Sequence, residues 1–329
     1  GFLSRDGYKI KGSGKRADVV VVNTCGFLQA ARDESLAVIA DAVRRKRRGE
    51  VGRLVVAGCM VQKCADQLSG IAGIDALVGP GRNHLVAQAA RDRTAGERLI
   101  QIETAPAHAW NTGASRVLTI PSIRGPYTSK PVDAVVAEAA NLAARGVVEI
   151  NLIAQDTTRY GLDLPGRPDL RLLLRELSAM DGIRWIRVFY AYPSPSLLGV
   201  VETMASLPKV CPYLDIPLQH ADRAILRSMR RPGDGARYLA MIERMRSVLP
   251  DIAIRTTLIA GLPGESDETF EDLLRFVEQA RFDRLGVFEF SPEPGTDAAA
   301  MPDQVPPETR RHRRERLMRL QQQISLEQN

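Results

Sequence analysis

Short apolar runs alternate with helical patterns along this chain, and that alternation constrains its fold more than any other feature. The first run is four valines at residues 19–22. A continuous β-branched run of this length is typical of a strand buried on both faces of a parallel sheet. A helical pattern starts at residue 28, and Cys25 lies in the turn between strand and helix. The opening segment therefore predicts a βα unit with a thiol at its turn.

The same arrangement recurs twice in the first hundred residues. The run "RLVVAGCMVQK" predicts a strand that ends at Cys59, and "IDALVGP" predicts a third strand. Strands separated by helices imply parallel βα units, so we expect an N-terminal open parallel βα sheet domain over residues 1–103. Cys25 and Cys59 then lie at equivalent ends of neighbouring strands. They either converge on one ligand or serve as small apolar fillers, and the residues alone leave both interpretations open.

A second βα series follows residues 104–119, a stretch of small and polar residues with a proline and a glycine, which we interpret as a linker. Strands are expected within residues 147–156, 183–193, 213–220, 252–265 and 284–296. Repeated βα units of this length predict a partial (β/α) barrel over residues 120–300, with its working face at the carboxyl ends of the strands. A helix over residues 301–329 completes an α/β fold class.

Polar side chains follow several of these predicted strands directly. Gln155, Gln219, His220 and Glu265 all come just after apolar strand cores. Because parallel strands end at one edge of a sheet, we expect these four side chains around one opening. Such residues also cap helices, but agreement among several strands favours an enzyme.

Composition narrows the class of protein. The chain has 329 residues, 44% of them hydrophobic and 26% charged, as in a globular protein. No apolar run is long enough to cross a membrane, and the first residues show no export signal. We therefore expect a cytoplasmic protein without membrane contact. Its four cysteines are too few for a disulfide framework in a chain of this length.

The charge is mildly basic, at +6, with two basic clusters at residues 44–48 ("RRKRR") and 310–316 ("RRHRRER"). Such clusters mark solvated helix ends more often than nucleic-acid sites. We favour that interpretation and leave direct contact with RNA open.

Seven strings, taken in order, carry a family resemblance. They are "VVVVNTCGF", "VVAGCMVQK", "IPSIRGPYTSKP", "INLIAQDTTRYG", "VCPYLDIPLQH", "TLIAGLPGE" and "FSPEPGT". Along nearly its whole length the chain resembles the radical S-adenosylmethionine (SAM) methylthiotransferases. Within that family it is most similar to the enzymes that add a methylthio group to the β carbon of an aspartate in small-subunit ribosomal protein twelve. The alternative is a transfer-RNA methylthiotransferase of the same mechanism, although those enzymes carry different residues in several of these strings.

The resemblance implies two 4Fe-4S clusters, SAM and an electron donor. Cys25 and Cys59 match the second and third ligands of the N-terminal cluster, whose first ligand has no counterpart here. Cys64 and Cys211 match no ligand. The resemblance and the strand-end positions together predict SAM-side residues: Gln155, Gln219, His220, Gly261, Gly264, Glu265, Arg124 and Arg255. The two arginines suit a carboxylate, either that of SAM or that of an acidic substrate, or each is an ordinary structural ion-pair partner. His220 could equally be a structural histidine with its hydrogen bonds satisfied.

One departure from the family is large. The family places about twenty residues, including a Cys-x-x-x-Cys-x-x-Cys loop, before "IPSIRG", and an iron–sulfur cluster needs those thiolates. Here Thr119 runs directly into Ile120, and the loop occurs nowhere in the chain. Either the protein is a cluster-deficient ribosome- or RNA-binding homologue, or the chain omits this segment. We favour omission, because a decayed enzyme would have no reason to keep the other motifs. The family also places a TRAM domain after the C-terminal helix.

Overall fold

The structure is a computed structural model. It describes the chain except for residues 1–6, 12–14, 26–28, 80–82, 92–98, 102–116, 120–126 and 329. The chain divides into two compact units. The first unit comprises Gly1–Gly113 with Arg124–Tyr127, and the second comprises Ala114–Ile123 with Thr128–Asn329.

The first unit contains a four-stranded parallel sheet in the order β1-β2-β3-β4. Its strands are β1 (Ala17–Thr24), β2 (Val51–Gly58), β3 (Ala76–Val78) and β4 (Leu99–Gln101). Leu54, Val55 and Val56 are completely buried, as the β-branched runs predict for a sheet covered on both faces. The fourth strand was not predicted, because three residues without a flanking apolar run give too weak a pattern.

The second unit contains a six-stranded parallel sheet in the order β10-β9-β8-β7-β6-β5. Its strands are β5 (Val117–Thr119), β6 (Glu149–Ile153), β7 (Trp185–Val188), β8 (Val210–Asp215), β9 (Ala253–Ala260) and β10 (Arg284–Glu289). Residues 117–119 were expected to end a linker but form β5, whose β-branched residues pair with β6. The junction between Thr119 and Ile120 falls at the edge of the described residues, since Ile120 lies outside them.

Helices separate most of the strands. They are α1 (Gln29–Arg47), α2 (Cys59–Lys63), α3 (Ala65–Ser69), α4 (Asn83–Arg91), α5 (Val132–Ala143), α6 (Leu170–Ala179), α7 (Leu197–Ser206), α8 (Arg223–Ser228), α9 (Gly235–Val248), α10 (Asp267–Ala280), α11 (Asp297–Ala300) and α12 (Pro307–Gln328). Several begin at a side-chain cap. Asp169, Asp234 and Ser266 each accept a hydrogen bond from the backbone N–H three residues on, which satisfies an otherwise unpaired donor.

The core of the second unit lies between the sheet and its helices. Burial alternates along β9, so that Ile254, Leu258 and Ala260 pack into the core while Arg255 and Thr257 lie on the opposite, half-buried face. That alternation leaves one face of the strand available for polar side chains. None of the helices in the described ranges combines the length and the apolar composition needed to cross a membrane.

The two basic clusters are occupied by contacts within the chain. In the first, Arg44 pairs with Asp41 and Lys46 with Asp75, at the carboxyl end of α1, where cations are favourable. In the second, Arg310 and Arg313 are buried rather than solvated. The expectation of a solvated face is therefore wrong for these two arginines, because their spacing of three residues turns both toward the sheet.

Candidate functional site

Cys25 and Cys59 lie at adjacent strand ends. Thr24 and Gly58 are the last register pair of β1 and β2, and each cysteine follows directly. A Cβ on Gly58, whose φ is 107°, would lie 2.5 Å from the Thr24 carbonyl oxygen, so only glycine permits this close approach. The structure thus places two cysteines, one exposed and one half-buried, directly after the ends of neighbouring strands, which are about 4.8 Å apart.

The other two cysteines lie in different surroundings. Cys64 is half-buried and packs against the apolar cluster of the first sheet. Cys211 is in β8, where burial raises the pKa of its thiol, and a raised pKa disfavours the thiolate that binds metals. Within the described ranges, no three Cys, His, Asp or Glu side chains are grouped to hold a metal.

These observations test the fit of the family's two clusters. The positions of Cys25 and Cys59 after adjacent strand ends fit two ligands of the N-terminal cluster, since thiolates are what such a cluster binds. The SAM-cleaving cluster does not fit. It needs three closely spaced cysteines, and the second unit contains only Cys211.

Six of the predicted SAM-side residues, all except Arg124 and Arg255, follow strands of one parallel sheet and so lie toward its carboxyl edge. Gln155 is exposed two residues beyond β6. Gln219 is half-buried and bonds to β9 on both sides of its backbone, its N–H to Thr257 at 2.9 Å and its carbonyl from Ile259 at 2.8 Å. Its φ of 71° is unusual for a residue other than glycine, and such conformations cluster at functional sites.

His220 and Glu265 are brought together, but they face inward. Both side chains are completely buried, and His220 Nε2 lies 3.2 Å from Glu265 Oε2. His220 Nδ1 accepts a bond of 2.9 Å from the Asp222 N–H. Nδ1 therefore carries no proton, and the neutral ring donates from Nε2 to the carboxylate. The two side chains contact each other rather than an open surface.

The turn from Gly261 to Glu265 has two glycines in the left-handed region. Gly261 has a φ of 78° and Gly264 a φ of 79°. Nothing lies within 4 Å of a Cβ placed on Gly264, so the backbone there is open to the approach of a ligand. Gly261 is covered, because a Cβ at that position would lie 2.2 Å from Arg310 Cγ.

Arg255 forms an ion pair with a residue that the sequence did not single out. Its Nη1 donates to Asp215 Oδ1 at 2.8 Å, and Asp215 is completely buried while the Arg255 side chain is 36% exposed. Desolvation raises the pKa of the Asp215 carboxyl, and the Arg255 charge opposes that shift. Arg255 lies near the start of β9 rather than at its carboxyl end. Arg124, the other predicted arginine, lies outside the described residues.

Two further residues near this edge were missed. Tyr190, just beyond β7, has a φ of 56°, and its carbonyl accepts from the Thr157 N–H at 3.0 Å. Its position two residues past a buried strand is the sequence feature that could have identified it. Arg313 is buried against Glu265, and only the three-residue spacing from Arg310 could have indicated that.

Comparison with protein families gives two matches. The radical SAM superfamily matches residues 110–277. A second family, described as uncharacterized protein family UPF0004, matches residues 1–79. The matches therefore divide the chain much as its two sheets do.

Named relatives match nearly the whole chain. Ribosomal protein uS12 methylthiotransferase RimO of Anaeromyxobacter sp. (strain Fw109-5) is 45% identical, with 99% of this chain and 74% of that protein covered. The protein of the same name from Geobacter sulfurreducens is 41% identical, with 100% and 79% covered. These alignments extend over 347 and 352 positions, against 329 residues in the chain. The alignments therefore contain positions that the relatives have and this chain lacks.

A solved structure shares the fold. The radical SAM methyltransferase TsrM from Kitasatospora setae, solved with cobalamin and an iron–sulfur cluster bound, aligns with a TM-score of 0.58. It is 15% identical, and the alignment covers 84% of this chain and 64% of that one. At this identity the likeness concerns the fold alone.

Proposed function

Because the chain belongs to the family of ribosomal protein uS12 methylthiotransferases, we propose that it adds a methylthio group to the β carbon of an aspartate in uS12. The observation that carries this proposal is identity above 40% to such enzymes along the whole chain. Two features agree with it: the cysteines that follow adjacent strands of the first sheet, and the polar residues that follow strands of the second sheet. Transfer RNA as the substrate is not favoured, because the relatives' names refer to the ribosomal protein.

Two 4Fe-4S clusters and SAM are the cofactors of this family. Cys25 and Cys59 would hold the N-terminal cluster, which supplies the site of the sulfur chemistry when bound. Their placement directly after the last register pair of two strands anchors the backbone of both cysteines to a sheet, which favours a well-defined ligand geometry. The chain's residues do not fit the SAM-cleaving cluster, and no step through that cluster follows from them.

The second unit would bind SAM at the carboxyl edge of its sheet. Gln155 and Gln219 are placed to exchange hydrogen bonds with the cofactor there. The open backbone at Gly264 would allow the nucleoside to approach closely. Arg255 lies near the start of β9, away from that edge. Its side chain is partly exposed while it pairs with Asp215, which suits recognition of a carboxylate of the acidic substrate. Arg124 remains a candidate for the same role.

The proposal extends to the electron donor, the cellular location and contact with RNA. An external electron donor is expected as a partner, and the enzyme would work in the cytoplasm, where its substrate is made. Contact with ribosomal RNA is the least supported element, because the arginines of the second basic cluster are largely engaged within the chain. Arg316, for example, forms two bonds to Glu271, at 2.6 and 3.1 Å.

The first experiment is to sequence the gene across the codons for Thr119 and Ile120. An additional segment with a Cys-x-x-x-Cys-x-x-Cys loop is expected there. A continuous reading frame without it would favour the cluster-deficient homologue. The second experiment deletes the gene and measures the mass of uS12 from purified ribosomes. Loss of the methylthio group, restored by the intact gene, supports the proposal, and an unchanged mass contradicts it.

A further inference from the structure

Helix α12 lies against the carboxyl edge of the second sheet through buried arginines. Arg310 donates from Nε to the Val305 carbonyl at 2.7 Å and from Nη1 to the Phe290 carbonyl at 3.0 Å. One turn later, Arg313 is only 4% exposed. Arginine is rarely buried unless it is paired, so the partners of Arg313 indicate why it is there.

Those partners are the turn that follows β9 and the start of α10. Arg313 Nη1 donates to Glu265 Oε1 and to the Glu265 carbonyl, both at 2.8 Å, and Nη2 donates to Asp267 at 2.6 Å. The guanidinium therefore bonds the side chain and the backbone of one residue together. This fork geometry is specific to arginine and fixes both position and orientation.

Glu265 is the centre of this arrangement. Its carboxylate accepts from the Gly261 N–H at 3.0 and 3.1 Å, from Arg313 at 2.8 Å and from His220 at 3.2 Å. A completely buried carboxylate is costly unless it is paired and hydrogen-bonded. Here the pairing holds both ends of the turn, Gly261 and Glu265, against the helix. It also ties them to His220, just beyond β8.

The contact of Arg310 with Gly261 strengthens the same link. Because a Cβ at Gly261 would collide with the Arg310 side chain, the helix lies directly on the turn. The Gly264 N–H donates to the Asp303 carbonyl at 3.0 Å, so the segment that leads into α12 holds the turn from its other side. The position of the turn is thus set largely by residues 303–313.

We infer that Arg313 is a positioning residue, which holds the turn from Gly261 to Glu265 through the Glu265 carboxylate and thereby shapes the SAM side of the site. The inference rests on the proposed function only in taking this turn as the SAM side. It means that His220 and Glu265, which the sequence predicts to contact SAM, instead support the turn from its buried side.

The test uses the product of the intact gene with Arg313→Met. This change keeps much of the apolar stem and removes the fork, which leaves Glu265 buried without its cation. We expect amide hydrogen exchange at residues 261–265 to quicken by about tenfold or more, because an uncompensated buried charge draws in water. Exchange in β6, far along the sheet, should stay unchanged. The dissociation constant for SAM, measured by equilibrium dialysis, should rise by a similar factor.

Three further variants sharpen the test. Arg311→Met is the matched control, because Arg311 is exposed and its ion-pair partner among the described residues is Glu308, on its own helix. This variant should change neither readout. Arg313→Lys keeps the charge without the fork and should give an intermediate effect, and it serves if the methionine variant does not fold. Adding Glu265→Gln to Arg313→Met removes the unpaired charge and should bring exchange back toward the wild-type rate.

Two results would overturn the inference. One is unchanged exchange at residues 261–265 in a folded Arg313→Met protein. The other is faster exchange across the whole sheet with unchanged SAM affinity, which would mean that Arg313 only stabilises the unit. A third result separates the inference from the proposed function. If the wild type does not bind SAM, but Arg313→Met still exchanges faster at residues 261–265, the positioning role of Arg313 is supported and the proposed function is contradicted.

Discussion

Arg255 Nη1 donates to Asp215 Oδ1 at 2.8 Å, and this bond joins β9 to β8 on the half-buried face of the second sheet. Asp215 Oδ2 has no hydrogen-bond partner among the described residues. A buried carboxylate with one oxygen unsatisfied is expensive to keep charged, which is why burial raises the pKa of Asp215 despite the neighbouring guanidinium.

That shift predicts a pH-dependent effect of Asp215→Asn. Because the folded protein holds the Asp215 proton more tightly than the unfolded chain does, this group stabilises the fold below the ordinary aspartate pKa of about 4. The contribution is lost as pH rises through the raised value. In thermal unfolding, the Tm of the wild type should therefore rise relative to the Tm of Asp215→Asn as pH falls from neutral toward about 4. A difference in Tm that does not vary with pH contradicts this.

The two left-handed glycines of the turn allow a paired test. Gly264→Ala adds only backbone strain, about 1 kcal/mol, because nothing surrounds the new methyl group. Gly261→Ala adds the same strain and also a collision with Arg310, about 1–3 kcal/mol more. Thermal melts should show a drop of about 2–4 °C for Gly264→Ala and at least twice that for Gly261→Ala. Equal drops would mean that Arg310 does not cover the turn.

Substitution of either paired cysteine should remove a cluster. In the protein reconstituted anaerobically, Cys25→Ala and Cys59→Ala should each lose one cluster's iron, roughly four atoms per chain, because a cluster held by three thiolates cannot spare one. Cys211→Ala is the control. Its thiol is in β8 with a raised pKa, so the iron content should equal that of the wild type. Full iron in Cys25→Ala would remove this residue from the ligand set.

The sequence predicts the parallel sheets well, because buried strands contain continuous β-branched runs such as the valines of β1. It also predicts which edge carries Gln155, Gln219, His220 and Glu265, since a strand's direction follows from chain order. It does not predict which way His220 and Glu265 face. The orientation of Glu265 depends on Arg313, which follows it by nearly fifty residues, and a local sequence pattern cannot reveal a partner at that distance. The strand β5 was missed because its three residues follow a stretch of small and polar residues that is typical of a linker.

The most direct test of the central claim is a competition assay. The product of the intact gene, reconstituted anaerobically, is given SAM, a reductant and sulfide together with equal amounts of uS12 and transfer RNA, and both are analysed by mass spectrometry. The account predicts a methylthio group on one aspartate of uS12 and unmodified transfer RNA. Modified transfer RNA with unmodified uS12 would contradict it.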